Sequence, residues 1–411
     1  MYSINTIKGL KRLTRKGIKI MINYIDNDKN KGMLFDYKKI RKEYKKLKVP
    51  QHLYNPCREP IEKAKHHIIL SQRSSGKTTN LLLLGMLFNR EYGTIIHYIR
   101  SREEYITNKN IKDLFSTIIS FGYIEKITNG RYNSCVYHAR RWYYCNMDSD
   151  GNIIEQDNNH FMICMSYDNN DSYKSSYTCP VADFVIVDEF IERYYYNNSF
   201  ILLMDLLMTL KRNRLSMIVF YSANTIDKNT IWFDEFMIKS EVSKMKLGEQ
   251  RLIETKQGTP INVHIFSFEN QTEQSKLQQL SNSLYFGFSN PKLSSITGDD
   301  WAMSNYPHIP TNDYEVLSKN HYIKFSTDLL RLTIVNFDKI GLGVIVTMST
   351  TSYDDSIIYT SDSVTDYRYR YAFGYTKIDK LIWDLFKKHK FYYQSNEVGA
   401  IVDSYVNQFR R

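Results

Sequence analysis

Four short stretches carry residues whose types and order suit phosphate chemistry. Ser71-Gln72-Arg73-Ser74-Ser75-Gly76-Lys77-Thr78-Thr79 follows an apolar run at 66–70 and opens a helical pattern. Small residues let successive backbone N–H groups curl around a phosphate, and the helix N-terminus adds its positive end. Lys77 would neutralise the β- and γ-oxygens of a nucleotide, and Thr78 would offer its hydroxyl to Mg²⁺. The second stretch is Phe184-Val185-Ile186-Val187-Asp188-Glu189. An apolar strand ending in two carboxylates suits a nucleotide site: Asp188 would hold Mg²⁺ through water, and Glu189 would orient and polarise the attacking water. Taken alone, the same run is a strand meeting solvent. The third stretch, Ser222-Ala223-Asn224, ends the next apolar run. Polar residues there would sit beside a γ-phosphate and report its loss, or would simply begin a loop. The fourth, Lys211-Arg212-Asn213-Arg214, closes a helical pattern. Such a cluster either complements the helix dipole or reaches across a subunit boundary as an arginine finger.

These residues need a scaffold, and the pattern supplies one. Apolar runs at 66–70, 94–99, 184–187, 217–221 and 263–268 are rich in Ile, Val and Phe, with little polar alternation. That is how strands buried on both faces of a parallel sheet read. Helical patterns at 78–90, 101–121 and 199–211 fall between several of them. The alternation predicts an α/β domain with a parallel sheet. Residues 131–165 differ, because paired aromatic stretches flank Asp148-Ser149-Asp150-Gly151, which predicts a hairpin insertion. Past residue 270 the pattern changes to a polar helix at 271–284 and linker chemistry at 296–320. Strand-like runs follow over 322–359, then helices over 378–388 and 398–409. This predicts a second, smaller α+β domain. The boundaries read as a basic N-terminal extension over 1–48, an ATPase domain over 49–269, a lid or linker over 270–314 and a C-terminal domain over 315–411.

Composition narrows the class. The chain has 411 residues, 42% of them apolar, so wholesale disorder is excluded. No apolar run approaches the roughly 20 residues of a membrane span, and the start does not read as a secretory signal. Residues 1–50 contain 15 Lys and Arg against 4 Asp and Glu, a net of +11 that equals the net charge of the whole chain. The basic character thus belongs to the N-terminal segment, which suits a nucleic-acid backbone or a solvated extension. Five cysteines, with no CxxC pair, fit a reducing compartment better than a disulfide scaffold. Cys135, His138 and Cys145 do not have the spacing of a zinc module.

Taken in order, Tyr54-Asn55-Pro56, SQRSSGKTT, the Arg100/Arg102 pair, VIVDEFIE, LMTLKRNR and YSAN resemble the DNA-encapsidation ATPase of small short-tailed phages, a motor relative of terminase large subunits. The likeness covers roughly 54–240 in ordered motifs, and the C-terminal region more faintly. It implies a P-loop fold of the ASCE/RecA-like type that uses ATP and Mg²⁺. It also implies a homo-oligomeric ring, a pentamer, docked on the portal of a procapsid in the host cytoplasm. There it would pump double-stranded DNA, in some members with a packaging RNA. By position, Tyr54, Asn55 and Pro56 would lie near the adenine. Arg212 matches the family's trans-acting finger better than Arg214, and Lys174 falls near a second cation acting across the interface. The C-terminal region would be a vestigial RNase H-like nuclease that does not cut, since the runs at 330–337 and 342–348 hold no acid and Asp338, Asp354, Asp355 and Asp362 fall in turns or at strand ends. Ser71 departs from the glycine usual at its position, and Arg73 is terminase-like. The N-terminal extension and residues 131–170 exceed the family's compact form. The DNA track would be the basic arm, or Arg140 and Arg141 in the ring pore. A helicase, or a scaffold with an inactive P-loop, is the alternative; intact Lys77, Thr78, Asp188 and Glu189 speak against the scaffold.

Overall fold

The structure is a computed structural model. It describes residues 35–407 except 72–73, 170–182, 192–197, 212–215, 225–229, 268–305, 326–327, 362–363, 372 and 374–375. Nine strands form the first sheet: β1 (His66–Ser71), β2 (Ile96–Arg100), β3 (Ser134–His138), β4 (Arg141–Met147), β5 (Ile153–Ser166), β6 (Phe184–Asp188), β7 (Ile218–Asn224), β8 (Gln250–Glu254) and β9 (Pro260–Phe266). Their order is β3-β4-β5-β2-β6-β7-β1-β9-β8. The run from β5 to β9 is parallel throughout, and antiparallel strands close both edges. Each of the five apolar runs read in the sequence is one of these parallel strands. Strand β7 lies between β1 and β6, and the register pairs Ser71 with Asn224 and Asp188 with Ser222. Topology alone therefore brings three of the sequence motifs to one end of the sheet.

The helix Lys77–Tyr92 packs flat on this sheet, burying every residue from Leu81 to Phe88. Gly85 makes that close approach possible: a Cβ there would stand 2.9 Å from Ile96 and 3.0 Å from Phe184. The helix Tyr37–Lys46 packs on its outer side. Asp36 caps it by accepting from Lys39 N, and Tyr37, Ile40 and Tyr44 are buried. Phe35 meets Phe88 edge-on at 5.3 Å, and Arg90 pairs with Glu43 at 2.9 Å. The helix that the sequence assigns to a basic extension ending at residue 48 is thus part of the core of the first sheet's domain, because its apolar stripe has a hydrophobic helix to cover.

One further expectation needs correction. Residues 101–121 do not form one helix but a 3₁₀ turn and two short helices, Asn108–Ile111 and Ser116–Ser120. Thr107 is extended (φ −71°, ψ 155°), and the Thr107 hydroxyl and Asn110 amide both donate to the Glu104 carbonyl, replacing helical bonds. The hairpin expected over 131–165 is present: β4 and β5 pair antiparallel across the Asp148–Gly151 turn. β3 and β4 pair antiparallel with each other and β4 with β5 from Ile153 to Ile163, while β5 pairs in parallel with β2 from Met162 to Ser166, so the ribbon extends the main sheet.

The second sheet contains β10 (Tyr314–Phe325), β11 (Asp328–Phe337), β12 (Gly341–Ser349), β13 (Ile357–Thr360), β14 (Tyr369–Arg370) and β15 (Phe391–Tyr393), in the order β14-β13-β10-β11-β12-β15. β10 to β12 form an antiparallel meander, and β13 runs parallel to β10. The helices Lys377–Lys387 and Asn396–Asn407 supply Ile382, Leu385, Val398, Ile401, Val402 and Tyr405 to its core. Asp338, Asp354 and Asp355 lie in turns, and Asp362 falls outside the described residues. Ile231 packs against the cores of both sheets, and Lys239 pairs with Asp328 at 3.1 Å.

Candidate functional site

The loop after β1 is shaped by its small residues. Ser74 (φ 61°) and Gly76 (φ 78°) both adopt left-handed backbone, and a Cβ on Gly76 would come within 3.0 Å of the Asn80 amide. Ser71, in place of a glycine, is fully buried and accepts from Lys77 Nζ at 2.7 Å. Lys77 also reaches Asn224 Oδ1 at 3.3 Å. Burial pushes the Lys77 ammonium down to about 8, with Asp188 and Glu189 pulling the other way. The site therefore holds a cation that would gain from an incoming anion.

Asp188 ends β6 and is 5% exposed. Thr78 Oγ1 donates to its two oxygens at 3.1 and 3.2 Å, Ser222 Oγ donates to Oδ1, and the Tyr98 hydroxyl donates to Oδ2 at 2.7 Å. The next residue, Glu189, leaves the strand with φ 51°, which turns its carboxylate away from that of Asp188. It pairs with Arg100 NH2 at 2.5 Å. Phe190 then dips back into the core, its N–H donating to Ser222 O at 3.2 Å.

Tyr54, Asn55 and Pro56 clasp the loop from outside. Tyr54 N donates to Ser75 O at 2.9 Å, and Asn80 Nδ2 donates to Tyr54 O at 2.8 Å. The Tyr54 ring is enclosed against His264 and Phe266, so this residue meets the loop through its backbone. Asn55 Oδ1 caps the turn Pro56–Arg58 by accepting from Cys57 N, with Pro56 at the first position. Behind them, fully buried Glu59 accepts from Gln250, Asn262 and His264, tying this segment to β8 and β9.

Ser71, Ser75, Lys77 and Asn224 thus form one hydrogen-bonded group, and Thr78, Asp188 and Ser222 a second, set side by side by the consecutive residues Lys77 and Thr78. Glu189 lies beside them, while Ala223 is core and Thr79 is half-buried on the helix. Gln72, Arg73, Lys174, Arg212 and Arg214 lie outside the described residues. Arg140 sits in the left-handed turn between β3 and β4, ion-paired with Glu103, and Arg141 begins β4; both belong to the far edge of the sheet. The sequence reading missed Tyr98 and Asn80 and gave Arg100 no role. A tyrosine in a buried strand reads as core, and only the neighbouring strand reveals what its hydroxyl meets.

The oxygen donors fit a hard cation. One carboxylate and one hydroxyl are too few to cage a metal, and no group of three or more His, Cys, Asp or Glu is gathered among the described residues. Mg²⁺ is commonly held this way, by one or two carboxylates with substrate phosphates and water completing the shell.

No family model matches the sequence, and no curated protein matches it. Solved structures do match. A chain of the Phi-28 gp11 DNA packaging motor superposes with a TM-score of 0.55 at 14% identity, covering 88% of this chain and 99% of that one. The chain has the fold of a phage packaging motor. A chain of the bacteriophage Phi-29 viral genome packaging motor assembly gives a TM-score of 0.53 at 15% identity, covering 88% of this chain and 100% of its own. The packaging-motor fold takes in most of the chain, further than the ordered motifs at 54–240 reach. No helix among the described residues is long and apolar enough to cross a membrane.

Proposed function

We propose that this chain is an ATPase that drives double-stranded DNA into a phage procapsid. The observation that carries the reading is the convergence of Lys77, Thr78, Asp188 and Asn224 at the ends of adjacent parallel strands, with Glu189 beside them. The loop Ser71–Gly76 binds the nucleotide phosphates through backbone N–H groups, and Lys77 neutralises them. Thr78 and Asp188 hold Mg²⁺, which would offset the charge developing on the phosphates. Glu189 orients the water and takes its proton once Arg100 releases it. Asn224, already on Lys77, senses the γ-phosphate.

We read Arg212, after the helix Ser199–Lys211, as the finger completing a neighbour's site, with Arg214 and Lys174 as further candidates. A finger acting in trans requires an assembly of identical subunits, for which the resembling family implies a ring of five. The portal is its docking partner, and some members of the resembling family also use a packaging RNA. The host cytoplasm is its place of work. Residues before the helix Tyr37–Lys46 form a basic arm for the DNA backbone. The second sheet, with three antiparallel strands and two more parallel to the first, supports a vestigial RNase H-like unit. We expect no Mg²⁺- or Mn²⁺-dependent cleavage of plasmid DNA by the full chain.

The test is steady-state ATP hydrolysis by the purified chain with Mg²⁺, with and without duplex DNA. Hydrolysis that duplex DNA stimulates and Lys77→Ala abolishes is expected. A chain that binds duplex DNA yet hydrolyses no ATP would overturn the reading.

A further inference from the structure

Tyr98 stands out among the buried side chains. It lies in the middle of β2, 1% exposed, between His97 and Ile99. A buried phenol costs free energy unless its hydroxyl finds a partner. This one finds Asp188. The register pairs Tyr98 with Ile186, so Asp188 is two residues further along the adjacent strand and faces the same side. The hydroxyl spans that diagonal and donates to Asp188 Oδ2 at 2.7 Å.

We propose that Tyr98 is a positioning residue that presents Asp188 to Mg²⁺ and sets the metal affinity of the site. The inference rests on the nucleotide-site reading above. In the structure each Asp188 oxygen has one donor fixed in a strand: Ser222 on Oδ1 and Tyr98 on Oδ2. Thr78, at a helix N-terminus, is shared between the two oxygens at 3.1 and 3.2 Å. When Thr78 turns toward a metal, the two strand-borne donors are what remain to fix the plane of the carboxylate. One donor would leave it free to rotate about that single bond. Two donors, from the strands on either side of β6, do not.

Tyr98 also touches the second carboxylate indirectly. Arg100 NH1 lies 3.4 Å from the Tyr98 hydroxyl, while NH2 of the same guanidinium holds Glu189. A single chain of contacts, Glu189–Arg100–Tyr98–Asp188, therefore links the two acids along β2. The metal-holding carboxylate is steadied by the same strand that keeps the water-orienting one at bay.

Outer partners of a metal ligand are worth roughly 10–100-fold in metal affinity. Tyr98→Phe keeps the ring and its packing and removes only the donor. The readout is the affinity of the full chain for a fluorescent ATP analogue, first in EDTA and then across an Mg²⁺ titration. Mn²⁺ binding to the nucleotide-loaded chain, followed by electron paramagnetic resonance, reads the metal directly. The variant is expected to match wild type within about twofold in EDTA and to need roughly 10–100-fold more metal at half-saturation. A purely structural tyrosine would instead weaken nucleotide binding equally with and without metal, which overturns the proposal. So does a variant whose metal midpoints equal those of wild type. If the wild-type chain binds no nucleotide even with Mg²⁺, the failure lies in the nucleotide-site reading, and the inference falls with it.

Discussion

Arg100, near the end of β2, holds Glu189, just past the end of β6, through an ion pair in which the arginine is 17% exposed and the glutamate 54%. The Arg100 guanidinium also lies 5.1 Å over the Tyr105 ring, so the arginine is anchored and the glutamate is the partner free to leave. A carboxylate oxygen occupied by a guanidinium cannot orient a water. On the mechanism proposed above, the pair would restrain hydrolysis, and breaking it would release Glu189.

Arg100→Gln should therefore raise hydrolysis measured without DNA and lessen the further gain on adding duplex. A partly exposed pair is worth about 0.2–1 kcal/mol, so the rise should be roughly 1.5- to 5-fold. A variant slower than wild type under both conditions would assign Arg100 to the reaction itself.

Glu189→Gln should bind ATP normally and lose hydrolysis by on the order of 10²-fold or more, the contribution of a positioned base. Lys77→Ala should weaken binding itself. Near-normal turnover by the glutamine variant would remove Glu189 from the chemistry.

Mixing inactive Arg212→Ala subunits with Glu189→Gln subunits should restore part of the activity. In some neighbouring pairs an intact finger then faces an intact Glu189. Titrating one variant into the other and measuring hydrolysis per subunit checks this. A mixture no more active than its components would leave Arg212 the dipole role.

The depressed Lys77 ammonium makes binding depend on pH. In the free chain it loses its proton at about 8, and a bound phosphate raises that value again. Nucleotide affinity should be full below that pH and fall by up to about tenfold per unit above it. Without nucleotide the sign reverses. Burial favours the neutral amine, so from this group the folded chain gains stability as pH climbs from about 8 toward the ordinary lysine range. Equilibrium binding measured between pH 6.5 and 9.5 tests the first statement, and a flat profile would contradict it.

Two truncations separate charge from packing. Residues 1–34 carry 8 Lys and Arg against 2 Asp and Glu. Their deletion should flatten the salt dependence of DNA binding, by up to about 0.9 in slope for each phosphate the arm neutralises, and leave basal hydrolysis intact. Deletion of 1–48 also removes Phe35, Tyr37, Ile40, Tyr44 and Leu47 from the core. At roughly 1.5–3 kcal/mol each, their loss rivals the whole stability of a typical domain, about 5–15 kcal/mol. That chain should fail to fold, as thermal unfolding would show. An unchanged salt slope in the shorter truncation would move the DNA track elsewhere, to Arg140 and Arg141 first.

What the sequence made legible was local. Runs of Ile, Val and Phe cannot be half-solvated, so the parallel strands could be read without their neighbours. The Ser71–Thr79 loop and the Asp188-Glu189 pair were legible because their chemistry lies in consecutive residues. Contacts between strands were not. Tyr98 meets Asp188, and Asn80 meets the Tyr54 carbonyl, only after strand order and helix placement are set. The basic helix Tyr37–Lys46 misled for a related reason: its charges line one face and dominate the count, while three aromatic or apolar residues on the other decide where it goes. β10 began inside what read as linker, because Tyr314 to Leu317 are exposed and alternate with nothing.

Gly85 lies two turns from the chemistry and belongs to none of the motifs, yet it fixes the height at which the helix rides over the sheet. The distance between Thr78 on that helix and Asp188 on that sheet is in effect a gauge length, machined by the absence of one methyl group. Ala at this position would have to displace Ile96 or Phe184, which begin the strands bearing Tyr98 and Asp188, or lift the helix. Either way the hydroxyl and the carboxylate are jacked apart without any phosphate-facing residue having changed. The tolerance of the site is thus set in its floor, where no search for nucleotide-binding residues would look.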